Sequence, residues 1–236
     1  MIRLKPRLAE AASLLSDLPQ QALIADIGCD HGQLICCLLS RNPSWRGIAS
    51  DISRESLKKA ERAAEESGVS ERLVCAVGDG LETVRGLSPD AVFICGMGGE
   101  TIAGILENGE IPTEHSPLFI LQPMSGIEEL RAYLYLNNFH VLQDRIVREG
   151  RKYYQVFSVR KQINRQEWPE VFPKDLYSVG YKAFQMRTPL LVDYVTELRD
   201  RYAVKAREAA GTDGEDGLLQ KEQMLSRLLE NYPDSF

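Results

Sequence analysis

No stretch of the 236-residue sequence approaches the ~18–20 uninterrupted apolar residues that a bilayer-crossing helix needs. The basic N-terminus, Met1-Ile2-Arg3-Leu4-Lys5-Pro6-Arg7, is followed by neither an apolar core nor a cleavage pattern, so no signal peptide is read and a cytoplasmic protein is expected. The five cysteines (Cys29, Cys36, Cys37, Cys75, Cys95) are odd in number and scattered through apolar runs, which suits reduced thiols better than a disulfide framework. Cys29-x-His31 with Cys36-Cys37 has no CxxC or HxxxH cluster to complete four ligands, so no metal is expected. Neither GxGxxG nor GxxxxGK[ST] occurs, which leaves out the dinucleotide fingerprint and the P-loop. Internal repeats and low-complexity segments are also missing. With 44% hydrophobic and 26% charged residues, disorder is not expected either.

The chain is acidic overall, with a net of −6. One stretch departs from that balance. Between Asp144 and Arg187 stand ten basic residues (Arg145, Arg148, Arg151, Lys152, Arg160, Lys161, Arg165, Lys174, Lys182, Arg187). Five acids (Asp144, Glu149, Glu167, Glu170, Asp175) oppose them, a local net of +5. Such a run is commonly a solvated face, and by itself says little about a polyanionic partner.

From Ala22 to about Arg160, short apolar runs alternate with amphipathic stretches. Strands are expected at Ala22–Asp26, Gly47–Asp51, Leu73–Val77, Ala91–Cys95 and Leu118–Gln122, and helices at Gly32–Ser40, Arg54–Ser67, Glu100–Asn108 and Ile127–Asn137. Ser53 is placed to cap the second helix and Gly68 to stop it. Runs apolar at nearly every position suit strands covered on both faces, hence a parallel, doubly wound α/β sheet. The rhythm then breaks. His140–Arg148 and Lys152–Arg160 are joined only by Glu149-Gly150-Arg151, which requires an antiparallel hairpin. Five β-α units closed by a hairpin is the order of the class I methyltransferase (Rossmann-like) fold. Residues 1–160 are read as an S-adenosylmethionine-binding domain of that class and 161–236 as a basic connector and a helical hairpin. The connector is aromatic (Trp168, Phe172, Tyr177, Tyr181, Phe184), and Thr188-Pro189 reads as an N-cap with proline at the first helical position. Leu191, Tyr194, Val195, Leu198 and Tyr202 form one helical stripe. After the glycine-rich break at 211–217, Leu218, Met224, Leu225, Leu228 and Leu229 form another, so a coiled-coil-like α-helical hairpin is expected.

The chemistry sits at the strand ends. Asp26-x-Gly28-x-Asp30-x-Gly32 follows the first strand and opens a helix whose N-terminus favours anionic groups. Asp51 closes the second strand, where an acid can accept both ribose hydroxyls or, more plainly, support the helix after Ser53. Asp79, between Gly78 and Gly80, suits a loop receiving adenine. Three acids at successive strand ends fit a ligand better than packing does. Gly96-Met97-Gly98-Gly99 follows the fourth strand and is read as the acceptor side, with room for a planar ring. Gln122-Pro123, at the fifth strand end, is expected to line the same pocket.

Together, Asp26–Gly32, Gly78-Asp79-Gly80-Leu81-Glu82, Ile94-Cys95-Gly96-Met97-Gly98-Gly99 and Leu121-Gln122-Pro123 resemble the bacterial TrmK family, in order, from about Arg7 to Tyr154. The helical hairpin resembles that family's coiled-coil domain. The resemblance implies transfer of a methyl group from S-adenosylmethionine to N1 of adenine 22 in tRNA by a monomer or weak dimer. It implies cofactor contacts from Asp26, Gly28, Cys29, Asp30, Gly32, Asp51, Ile52, Asp79, Gly80 and Gly96. Substrate contacts would come from His31, Met97, Gly98, Gly99, Gln122, Pro123, Arg7 and Tyr154. Adenine N1 carries its own lone pair, so catalysis can be mostly positioning, with the Asp30 carboxylate stabilising the developing positive charge. Two departures stand out: Gln33 replaces a family tyrosine, and Gln155 an expected glutamate beside Tyr154. A small-molecule methyltransferase, or a non-catalytic S-adenosylmethionine-binding protein acting through its helical hairpin, are the other readings of the residues.

Overall fold

The computed structural model describes residues 2–163 and 177–230. Arg165, Glu167, Trp168, Glu170, Phe172, Lys174 and Asp175 of the basic, aromatic connector lie outside the described residues. A seven-stranded sheet organises the chain, with strands β1 (Leu23–Ile27), β2 (Arg46–Asp51), β3 (Leu73–Val77), β4 (Ala91–Gly98), β5 (Leu118–Ser125), β6 (Phe139–Glu149) and β7 (Lys152–Lys161) in the order β3-β2-β1-β4-β5-β7-β6. The first five are parallel, and β7 runs antiparallel to both β5 and β6. This is the class I methyltransferase arrangement expected from the alternation. The β6–β7 hairpin turns at Gly150, whose φ of +63° suits glycine.

Helices α2 (Gln33–Arg41), α3 (Arg54–Glu66), α4 (Gly99–Asn108) and α5 (Ile127–Leu136) connect the strands and cover the sheet. In α3, Leu57, Ala60 and Ala64 fall on one face and are buried. Its start is fixed by the Ser53 hydroxyl, which accepts from the Ser56 amide at 3.3 Å, and Gly68 follows its end at φ +66°. Gly32 lets α2 approach α3 closely, since a Cβ there would lie 2.7 Å from that of Ala60. A helix not foreseen from the sequence, α1 (Pro6–Ser13), begins with proline in its first turn and packs Ala11 and Leu14 into the core.

The C-terminal elements are α6 (Tyr181–Gln185), α7 (Leu191–Glu208) and α8 (Glu215–Glu230). Leu191, Tyr194, Val195, Leu198 and Leu225 are buried in a cluster that also takes Ile146 from β6 and has Tyr153 of β7 packed against it. The helical stripes are therefore a seam between α7 and α8 and a footing on the sheet. Thr188 departs from its expected role. It caps nothing; its hydroxyl donates to the Asp144 carbonyl at 2.5 Å, and α7 begins after Leu190 at φ +64°. Anchoring to β6 satisfies both groups where they are buried, which a solvent-exposed cap would not do.

Under that junction, Arg131 of α5 donates to Asp144 of β6 at 2.7 and 3.2 Å, both side chains buried, and its guanidinium lies 4.8 Å from the centre of the Phe157 ring. Gln155 accepts from Arg131 and passes its own amide hydrogens to the Ser178 carbonyl (2.7 Å) and the Tyr194 hydroxyl (2.8 Å). Gln155 thus points away from Tyr154 and links the sheet to α7, because neighbouring residues on a strand face opposite sides. Removing one partner of a buried pair strands the other charge. Arg131→Met is accordingly expected to lower stability by about 3–5 kcal/mol in urea denaturation, and Arg131→Met/Asp144→Leu to regain at least half of it. A single-variant loss under about 1 kcal/mol would contradict this account.

Candidate active site

Strand order reverses between β1 and β4: the chain leaves β1 toward β2 and β3, and leaves β4 toward β5. Loops at the carboxyl ends of those two strands diverge, and open α/β sheets bind ligands in the crevice so formed. Here a cavity of about 420 Å³ lies at that point, lined among others by Asp26, Gly28, Cys29, Asp30 and His31 after β1 and by Cys95, Gly96 and Met97 from β4. A cavity of similar size, about 450 Å³, lies under Leu81, Val92 and Phe119 near the amino ends of β4 and β5. It contains none of the strand-end acids. The switch-point cavity is the candidate site.

Its β1 loop is held by backbone and carboxylate together. The Cys29 amide donates to the Ser50 carbonyl (2.9 Å), the Gly32 amide to the Cys29 carbonyl (2.8 Å), and the Asp30 amide to Asp51 Oδ2 (3.1 Å). Asp51 Oδ1 accepts from the Ser53 amide at 2.9 Å. Asp51 therefore supports the entry to α3, as the plainer reading has it, and ties the β1 loop to β2. Gly28, at φ +68°, leaves the space that the Met97 methyl fills; a Cβ there would lie 1.9 Å from it. Gly96, at φ +80°, faces open space. Asp30 sits at φ +49° with its carboxylate exposed at the cavity mouth, 3.4 Å from His31 Nε2, which in turn lies 3.2 Å from Lys59 Nζ.

Asp26 is the buried member of the pair, 4% exposed at the end of β1. Loss of hydration, partly offset by a backbone hydrogen bond at Ile35 and aided by repulsion from Asp51, raises its carboxyl from 3.8 to about 7. Burial likewise pushes the Cys29 and Cys95 thiols up, so both are neutral at physiological pH.

The sequence did not indicate how the basic N-terminus enters the site. Helix α1 brings Lys5, Arg7 and Leu8 to the cavity wall. Arg7 is fixed by an ion pair with Glu149, by its amide donating to the same carboxylate at 3.3 Å, and by lying 5.6 Å from the centre of the Tyr154 ring. Arg7 and Glu149 are 142 residues apart, and no local pattern links them. Gln33, where the resembling family has tyrosine, also lines the cavity.

Other expected residues sit around this cavity rather than in its wall. Ile52 is 74% exposed beside Asp51, and Asp79 is exposed at the end of β3, with Gly80 at φ +52° after it. Gly99 serves the packing of two backbones: a Cβ would lie 1.9 Å from the Gly126 carbonyl oxygen. A Cβ at Gly98 would make only ordinary contact with Ser125 and Thr101. Gln122 is fully buried, its amide donating to the Pro123 carbonyl at 2.8 Å and its Oε1 without a hydrogen-bond partner among the described residues. Pro123 and Tyr154 line a neighbouring cavity, of about 380 Å³, against the C-terminal helices.

Residues 4–157 match the family model described as a methyltransferase domain, and fold and site together define a class I methyltransferase. The chain is 34% identical over 155 residues to the tRNA (adenine(22)-N(1))-methyltransferase of Bacillus subtilis, an alignment covering 66% of this chain and 64% of that protein. It is 34% identical over 158 residues to a putative tRNA methyltransferase of Mycoplasma pneumoniae, covering 67% of this chain and 72% of that one. The crystal structure of the B. subtilis M1A22 tRNA methyltransferase TrmK superposes with a TM-score of 0.81 at 25% identity, over 97% of this chain and 100% of that one. The chain belongs to the TrmK family.

The raised Asp26 carboxyl has a consequence for the ligand-free protein. Between about pH 4 and pH 7 the folded chain holds a proton that the unfolded chain releases, so stability falls as pH rises through that window. Asp26→Asn removes this penalty. Relative to the wild type it is expected to gain stability at pH 8, up to roughly 4 kcal/mol from about 1.4 kcal/mol per unit, and little at pH 4. Urea denaturation at the two pH values checks this, and an equal gain at both would contradict the assignment.

Proposed function

We propose that the chain transfers a methyl group from S-adenosylmethionine to N1 of the adenine at position 22 of tRNA, working as a monomer or weak dimer. One observation carries the reading: the switch-point cavity is lined by the buried Asp26 carboxyl, which forms no ion pair among the described residues, by the exposed Asp30 carboxylate and by the open Gly96 backbone. Those features suit a cationic, nucleoside-bearing donor. Asp26, poised near neutrality by burial, is stabilised as a carboxylate by a cation placed beside it. Asp51 keeps lone pairs on both oxygens for ribose hydroxyls after its two backbone bonds. Ile52 presents an exposed apolar face, and Asp79 an exposed acceptor, to an adenine ring. Gly28, Cys29, Gly32 and Gly80 shape the backbone cradle.

When bound, S-adenosylmethionine supplies an electrophilic methyl group on a sulfonium. Adenine N1 needs no deprotonation, so the chain's task is to place that nitrogen in line and keep it there. Met97 and Gly96 border the space for the target ring, with Arg7 and His31 on the facing wall. Gly98, Gly99, Gln122 and Pro123 support that border from behind. The Asp30 carboxylate offsets the positive charge that forms on the methylated ring. Tyr154 and Glu149 hold the Arg7 guanidinium at the mouth. Arg3, Lys5 and the basic residues of β6 and β7 offer a surface for RNA phosphates, and a target base inside folded tRNA is flipped out to reach the cavity.

The test is methyl transfer from labelled S-adenosylmethionine to unmodified tRNA, with the modified base mapped. Label is expected at N1 of adenine 22 and in no transcript carrying guanine there. Transfer to a metabolite with none to tRNA would defeat the proposal. Asp30→Ala is expected to lower kcat about ten- to a hundredfold at saturating donor. Intact turnover in that variant would remove Asp30 from the chemistry.

A further inference from the structure

The neighbouring cavity opens where the turn from β5 to α5, strand β7 and the C-terminal helices meet. Its volume, about 380 Å³, is within the range of small-molecule sites, about 300–1,000 Å³. Residues Met124–Glu129, Tyr153, Tyr154 and Tyr202, and the cations Arg201 and Lys221, are among those that line it. Two contacts join it to the acceptor side of the active site. The Tyr154 ring in its wall lies 5.6 Å from Arg7, which lines the first cavity. The Ser125-Gly126 turn is packed backbone-to-backbone against Gly99 of the Gly96–Gly99 loop. The contact between Tyr154 and Arg7 thus lies between the two cavities.

The groups lining this space distinguish among ligands. Lys221 is committed to Glu128, at 2.9 and 3.1 Å, and lies 5.3 Å from the centre of the Tyr202 ring. With Glu128 and Glu129 also present, a bare phosphate meets as much negative as positive charge. Lys221 covers one face of the Tyr202 ring, and stacking of a planar base on the other face does not depend on which base it is. Arg201, by contrast, is paired only with Glu197 at 2.8 Å among the ion pairs of the described residues, and both are exposed. Such a pair is weak, so the guanidinium is available to a phosphate at the rim.

We propose that this cavity receives one unstacked RNA nucleotide flanking the target adenine, its base against Tyr202 and its phosphate on Arg201. The proposal rests on the reading of the substrate as tRNA. It gives the junction between the sheet and the helical hairpin a role in holding the RNA strand on either side of the flipped base.

The test combines protein and RNA changes. Tyr202→Ala is expected to lower kcat/KM for tRNA about tenfold, as loss of one base stack does, with the affinity for S-adenosylmethionine unchanged by calorimetry. Tyr202→Phe keeps the ring and is expected to stay close to wild type. Arg201→Ala, at an exposed position, gives a second variant if Tyr202→Ala melts early. A tRNA abasic at the flanking nucleotide is expected to cost the wild type a similar factor and to cost Tyr202→Ala nothing further. Penalties that multiply in full at both flanking positions, or no effect of any variant while wild type methylates tRNA, would overturn the cavity's role. No methyl transfer to any tRNA by wild type would instead bring down the substrate reading, and this proposal with it.

Discussion

The buried pair of Arg131 and Asp144 sets terms that much of the surrounding structure meets. Two charges removed from water are tolerable only if neighbouring groups complete their hydrogen bonding. Around this pair Gln155 accepts from the guanidinium, and Tyr194 and Ser178 take up the amide of Gln155, while Arg131 Nε has no hydrogen-bond partner among the described residues; Thr188 occupies the backbone carbonyl of Asp144. Gly180 passes so close that a Cβ would lie 2.0 Å from Arg131 Nη1, and its φ of +89° is open to glycine. One ion pair thereby joins α5, β6, β7 and the approach to α7. The β6–β7 hairpin that distinguishes this sheet from an all-parallel one is thus also the seat of the C-terminal helices.

At the other end of the strands, carboxylates do two jobs at once. Asp51 is a structural acceptor for the amides of Asp30 and Ser53 and stands where a nucleoside's hydroxyls are expected. Asp26 destabilises the empty fold near neutral pH because its carboxyl is buried beside another acid. A site for a cation carries that cost when empty and recovers it when filled. The positive φ of Gly28 and Asp30 shapes the same loop, with Met97 occupying the room that the glycine leaves.

Much of the sheet was legible in the sequence because buried parallel strands, helix caps and tight turns are written in short-range patterns. The runs at 22–26, 47–51, 73–77, 91–95 and 118–122 each lie on a strand to within a few residues, and Ser53 caps the helix expected of it. The strand-end acids were legible for the same reason. The packing roles of Gly99 and Gln155 were not legible. A glycine beside a candidate pocket looks like room for a ligand, yet Gly99 yields its space to the backbone of Gly126. Gln155 stands beside Tyr154 in the sequence, but the alternation of β7 turns it to the far side, toward Arg131.

The sequence by itself determined the order of strands and helices, the closing hairpin, the acids at the strand ends and the helical stripes of α7 and α8, since each depends on residues a few positions apart. Only the tertiary structure decided which side chains meet. It brought Arg7 to Glu149 across 142 residues, set Thr188 on the carbonyl of Asp144 rather than at a helix end, and placed Tyr154 between two cavities. Contacts of that kind arise where buried polar groups must find partners among whatever the packed elements bring near, and no local periodicity records them.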